Sequence, residues 1–157
     1  MMSLLFRILM VLFYSTPVFA ETNQDREYAC SYGIALSCYL LGQSLSADTE
    51  AQVEAMAAFS QACELGLDLA CHDLGMLQLA SGPGSDSEGT AVQLLMRTCR
   101  FGIAESCTAL GRKLAENGPE GEVAALELFS RACDLGANDA CLEVGKSYSG
   151  VVFGPQP

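Results

Sequence analysis

The chain has 157 residues, half of them apolar, and 19 acidic against 8 basic side chains leave a formal charge of −11. Such a field repels phosphates, which excludes nucleic acid and anionic membrane as ready partners and leaves basic protein surfaces or cationic peptides as complementary ones. A single His and no Trp leave few parts for acid–base chemistry.

The first residues, MMSLLFRILMVLFYSTPVFA, place Arg7 ahead of an apolar stretch from Ile8 to Tyr14, followed by Pro17 and by Val18 and Ala20. Small residues at these last two positions suit a signal peptidase, so residues 1–20 read as a signal peptide cleaved before Glu21. The apolar run is shorter than the about 20 residues that span a bilayer. No stable membrane insertion is therefore expected after cleavage, and the mature protein is expected in the periplasm or outside the cell. Loss of Arg7 takes the charge from −11 to −12. Residues 21–150 then form a repeat array of about four units, the terminal ones partial, and residues 151–157 a tail.

Four segments define the array: CSYGIALSCYLLG, CELGLDLACHDLG, CRFGIAESCTALG and CDLGANDACLEVG. All share the frame C-x2-G-x4-C-x3-G. Its cysteines are Cys30 and Cys38, Cys63 and Cys71, Cys99 and Cys107, and Cys133 and Cys141. Successive first cysteines stand 33, 36 and 34 residues apart, a period that belongs to helix-turn-helix solenoids. Ahead of three of them lies an apolar triad at four-residue spacing: Ala55-Phe59-Cys63, Ala91-Leu95-Cys99 and Ala125-Phe129-Cys133. That spacing puts each triad on one helical face. In the first copy Arg26 stands four before Cys30, as suits an atypical capping helix. The pattern predicts an all-α chain with helices at about 23–32, 36–46, 50–65, 69–80, 88–101, 105–116, 121–135 and 139–148.

The two glycines of the frame have different expected roles. The first (Gly33, Gly66, Gly102, Gly136) ends a helix in the left-handed conformation. The second (Gly42, Gly75, Gly111, Gly145) falls inside the next helix, where glycine costs about 1 kcal/mol. Close approach of a neighbouring helix is the expected compensation at all four.

Each cysteine pair brackets one short turn between two antiparallel helices, which can bring the Cα atoms within bridging range. The expected disulfides are Cys30–Cys38, Cys63–Cys71, Cys99–Cys107 and Cys133–Cys141, one per repeat, formed in the oxidising compartment that the leader implies. Structural zinc prefers two to four residues between paired cysteines, not seven. No C-x-x-C-H haem site and no redox-active C-x-x-C occur, so neither metal nor cofactor is expected. His72, next to Cys71, reads as a surface side chain.

The recurring C-x2-G-x4-C-x3-G frame with its Ala/Phe helix, over about residues 24–148, resembles the Sel1-like repeat family, and in particular its secreted cysteine-rich branch, the Helicobacter cysteine-rich protein type. The resemblance implies a TPR-like right-handed superhelix of α/α hairpins with one disulfide per unit, used as a scaffold for protein or peptide contact. It also implies, as an alternative, penicillin binding or β-lactam hydrolysis. For that chemistry the residues name no catalytic group. Leu110 and Glu143, not Ser, stand three before Lys113 and Lys146; K-T-G is absent, and Ser85-Asp86-Ser87 only faintly echoes S-D-N. A solenoid binds in an extended groove, and Glu54, Asp68, Asp73, Glu105, Glu127 and Asp139 are the acidic candidates to line it.

Overall fold

The computed structural model describes residues 22–82 and 86–152. The signal peptide expected over 1–20, residues 83–85 of the loop before the third cysteine pair, and residues 153–157 of the tail lie outside them. Within the described residues the chain forms eight helices: α1 (Asn23–Ser31), α2 (Ala35–Ser46), α3 (Gln52–Glu64), α4 (Asp68–Ala80), α5 (Asp86–Arg100), α6 (Ala104–Ala115), α7 (Pro119–Asp134) and α8 (Asn138–Val152). Extensive packing joins helices consecutive in the chain, as in a solenoid whose units touch only their neighbours. Contacts also link alternate helices. Gln61 of α3 donates to the Cys30 carbonyl of α1 at 3.1 Å, and Arg131 of α7 to the Arg100 carbonyl of α5 at 3.1 Å. On the other side His72 of α4 meets Ser106 of α6, and Arg112 of α6 meets Asp139 of α8. The result is two layers, α1-α3-α5-α7 and α2-α4-α6-α8.

The tight turns follow from the sequence frame. Helix α3 ends where Gly66 takes φ 92°, a conformation open to glycine at no steric cost. The Gly66 N–H donates to the Cys63 carbonyl and the Leu67 N–H to the Ala62 carbonyl, both at 3.0 Å, which satisfies two carbonyls that the helix end would leave orphaned. Leu67 is then already the N-cap of α4, so only three residues separate the helices. The other three turns repeat this at Gly33, Gly102 and Gly136. Disulfides join Cys30 to Cys38, Cys63 to Cys71, Cys99 to Cys107 and Cys133 to Cys141 across them, with Cα atoms 4.6–4.7 Å apart.

The core is built from the triads. Phe59 is 2% exposed and Leu95 fully buried. Each knob fills the hollow left by a glycine of the preceding helix: a Cβ added at Gly42 would lie 2.7 Å from the Phe59 ring, at Gly75 3.0 Å from Leu95, and at Gly111 2.7 Å from Phe129. Gly145 departs from the expectation. Among the described residues no atom lies within 4 Å of a Cβ there, and no described helix beyond α8 supplies a knob. The cysteines belong to the same interior: one apolar cluster holds Cys30, Cys38, Cys63 and Cys71 around Phe59, another Cys99 and Cys107 around Phe129. At the amino end, Thr22 caps α1 by accepting from the Asp25 N–H at 3.3 Å, while its own N–H donates to the Asp25 carboxylate at 3.0 Å. The Thr22 hydrogen bonds hold the Asp25 carboxyl below its ordinary pKa.

Candidate interaction surface

The residue before each helix-ending glycine is Tyr32, Leu65, Phe101 or Leu135, and these side chains are 71%, 45%, 66% and 43% exposed. The position is the helix C-cap. The first and last pairs of turns are in reach of one another: Leu65 lies 3.9 Å from a Cβ position at Gly33, and Leu135 3.9 Å from one at Gly102, while among the described residues nothing lies within 4 Å of one at Gly66. Between them Arg97 sits 5.8 Å from the centroid of the Phe101 ring and pairs with Asp68 of α4 at 3.5 Å. Tyr28 extends the row at its amino end, with its ring 4.9 Å from that of Tyr32. The disulfide-bearing edge thus carries one large apolar side chain per repeat along the array.

The six acidic candidates do not share one groove. Glu54 and Glu127 lie on the odd-numbered layer; Asp68, Asp73, Glu105 and Asp139 lie on the even-numbered one. Two are spoken for: Asp68 pairs with Arg97, and Asp139 with Arg112 at 2.7 Å.

Asp73 belongs to a polar seam that the spacing did not reveal. The Tyr39 hydroxyl accepts from the Gln43 amide at 2.8 Å and interacts with the Asp73 carboxylate. His72 Nδ1 lies 2.7 Å from Ser106 Oγ, which accepts from the Thr98 hydroxyl at 2.7 Å. His72 is therefore not a free surface side chain: its side chain is only 15% exposed. A hydroxyl on an imidazole beside a carboxylate has the parts of a nucleophilic site. The geometry does not make one. Ser106 and Thr98 are fully buried, so no substrate carbonyl reaches Oγ while the helices are packed. Asp73 stands 4.0 Å from His72 Nε2, beyond hydrogen-bond range. The seam satisfies polar groups between α4, α5 and α6.

Burial pushes the Asp73 carboxyl above its ordinary pKa of 3.8, with the nearby His72 and the Tyr39 hydrogen bond offsetting this in part. The folded chain therefore holds that proton more tightly than the unfolded chain. The resulting stability is full below 3.8 and is lost as pH rises through the raised value. Asp73→Asn keeps an acceptor for Tyr39 and removes the buried charge. Relative to the parent, the variant should gain unfolding free energy on going from pH 3.5 to pH 7 in urea titrations. A difference that is flat with pH, or that falls, would contradict this account.

A groove of about 490 Å³ opens between α1 and α3, floored by α2. Leu41, Leu45, Ala57 and Ala58 line it, with Glu27 and Glu54 among its polar residues. It exists because α1 is short. Aligned on the first cysteine, α1 begins where α3 has Met56, so nothing in it matches the first turn of α3.

No protein-family model matches the chain, and no curated protein matches it in sequence. Solved structures do match. A protective antigen of uropathogenic Escherichia coli displaying an SLR fold (c5321) superposes with a TM-score of 0.69 over 85% of this chain, at 19% identity. A Sel1 repeat protein from Oxalobacter formigenes gives 0.61 over 78% of this chain and 96% of its own, at 21% identity. Helicobacter pylori cysteine rich protein B gives 0.53 over the same shares of the two chains, at 26% identity. The chain has the Sel1-like repeat fold. It carries four disulfides, one per repeat. It spans 29% of the length of the E. coli antigen. Within the Sel1-like frame, the exposed apolar edge could have been found from sequence: Tyr32, Leu65, Phe101 and Leu135 all precede the first glycine, where a left-handed turn needs no large neighbour. The seam could not, since His72 and Ser106 are 34 residues apart at positions that are not equivalent in the frame.

Proposed function

We propose that the mature chain, residues 21–157 after loss of a leader over 1–20, with its repeat array over 21–150, is an extracytoplasmic scaffold that binds a protein or peptide partner bearing basic residues. The observation that carries this reading is the row Tyr32, Leu65, Phe101 and Leu135, exposed at one repeated position along the disulfide edge. Contiguous exposed apolar surface marks interaction sites, and aromatic side chains such as Phe101 are favoured as binding hot spots. The four disulfides fit an oxidising compartment, and among the described residues no helix is long and apolar enough to cross a membrane. The charge of −11 favours a basic partner. The Sel1-like neighbours fit a repeat scaffold of this kind. No observation favours the hydrolase alternative.

Site-specific photo-crosslinking tests the reading. A crosslinker at Tyr32 or Phe101 should trap the same adduct in the extracytoplasmic fraction, and one at Ser130, on the exposed surface of α7, should not. The adduct should weaken as salt rises. For the partner so identified, Phe101→Ala should weaken binding by roughly tenfold or more. Equal trapping at Ser130, or a Phe101→Ala affinity equal to the parent's, would remove the edge as the binding surface.

A further inference from the structure

We propose that the α1–α3 groove is a receptor for a lysine- or arginine-bearing segment of a partner protein, seating the aliphatic stem on its floor and the cation between Glu27 and Glu54. The inference rests on the scaffold reading only in assuming that a partner exists; the groove is separate from the disulfide edge. Three observations carry it. The floor is aliphatic and small, made by Leu41, Leu45, Ala57 and Ala58, a surface that suits the methylene stem of a long basic side chain. Both carboxylates are exposed, and neither has a cation partner among the described residues. The third is the contrast with other grooves of the same molecule. In the groove lined by Met76, Leu79, Arg112, Lys113 and Glu116, Lys113 reaches Glu88 at 2.9 Å and Glu116 at 3.0 Å, and Arg112 is taken by Asp139. In the groove beside α7 and α8, Lys146 pairs with Glu143 at 2.8 Å. Each of those grooves supplies at least one basic side chain of its own, whereas the lining of the α1–α3 groove includes none. The α1–α3 groove joins an apolar floor to uncompensated negative charge, so its complement is a cation on an apolar stem.

The test uses the oxidised mature chain and two heptapeptides, one with a central Lys-Leu-Lys and one with norleucine in place of each lysine. The lysine peptide should shift backbone amide resonances of α1 and α3 around Glu27 and Glu54. Its affinity should fall by about tenfold in the Glu27→Gln/Glu54→Gln double variant, as two exposed ion pairs allow, and should fall with salt. Ser130→Ala, on the exposed surface of α7, should leave it unchanged. Three results would overturn the proposal: no binding of the lysine peptide, equal binding of the norleucine peptide, or an affinity unaffected by the double substitution. Both variants change only exposed side chains, so a loss of fold would show in the amide spectrum and is separable from loss of binding. The crosslinking at the disulfide edge succeeds or fails independently of these outcomes.

Discussion

Mild reduction should open the Cys133–Cys141 disulfide first and alone, and opening any of the other three should cost the fold severely. Cys30, Cys38, Cys63, Cys71, Cys99 and Cys107 are at most 7% exposed, whereas Cys133 and Cys141 are both partly exposed. Thiol exchange needs a thiolate to reach a sulfur, so the carboxy-terminal pair is the accessible one. It is also the cheapest to lose. It ties α8, which packs substantially on α7 alone, so its release frays one end and leaves the clusters around Phe59 and Phe129 in place. An interior bridge such as Cys63–Cys71 closes a small loop, worth about 2.6 kcal/mol in the chain-entropy account. Its sulfurs also sit in the apolar cluster around Phe59, where two new thiols would have to be accommodated without their bond. Replacing Cys63 and Cys71 together by Ser should therefore lower stability by about 3–5 kcal/mol. The same change at Cys133 and Cys141 should cost about 1–3 kcal/mol, at the low end of measured disulfide effects. Stepwise dithiothreitol treatment with alkylation and peptide mass mapping reads the order. Release of all four bridges in one step, or of an interior bridge first, would refute it.

Most of this architecture was legible because the array says the same thing four times. The Ala-Phe-Cys and Ala-Leu-Cys triads set the helix faces, and the left-handed glycines set their ends, so the expected boundaries mostly fall within two residues of the observed ones. Departures occur where the repeat signal is weak. The stretch Asn117-Gly-Pro-Glu-Gly121 reads as a turn by composition, yet α7 begins at Pro119. Proline suits the first turn of a helix, where its missing N–H is not needed. Gly121 is tolerated inside the helix because the chain passes so close that a Cβ would collide with the Leu114 carbonyl. Helix α8 likewise runs to Val152, beyond the Tyr148 expected from the last motif. What the repeats do not encode is what differs between them. The groove arises from the missing first turn of α1, and the seam from His72, Thr98 and Ser106 at non-equivalent positions. The acidic candidates show the same limit: charge at a helix position gives no sign of which layer it faces or whether a cation meets it, and only the folded neighbours distinguish paired Asp139 from unpaired Glu54.

The four interior glycines, identical in the sequence frame, should respond to alanine in opposite directions. At Gly145 a Cβ meets nothing within 4 Å among the described residues, so Gly145→Ala should stabilise by up to about 1 kcal/mol through helix propensity. At Gly75 the nearest atoms are Leu95 Cγ at 3.0 Å and Cδ2 at 3.1 Å. A slight shift of that side chain relieves the contact, and the packing cost and propensity gain should nearly cancel. At Gly111 the Phe129 ring comes to 2.7 Å, and at Gly42 three Phe59 ring atoms lie at 2.7–3.0 Å. Phe59 is 2% exposed and ringed by the buried cysteines, so the ring has no space to retreat into. Gly42→Ala should cost about 2–3 kcal/mol, as overpacking of a closed core does. If the knob-and-hollow fit is the cause, shortening the knob should restore stability. Phe59→Leu in the Gly42→Ala background recreates the pairing that the chain already uses at Leu95, where the added Cβ finds 3.0 Å rather than 2.7 Å. The double variant should therefore be more stable than Gly42→Ala alone, although Phe59→Leu by itself removes buried carbon and should destabilise. That sign reversal distinguishes a steric hollow from a backbone requirement for glycine. Denaturant unfolding of the four alanine variants and the double variant measures it, and equal losses at all four glycines would show that their conservation within the frame has a cause other than the facing knob.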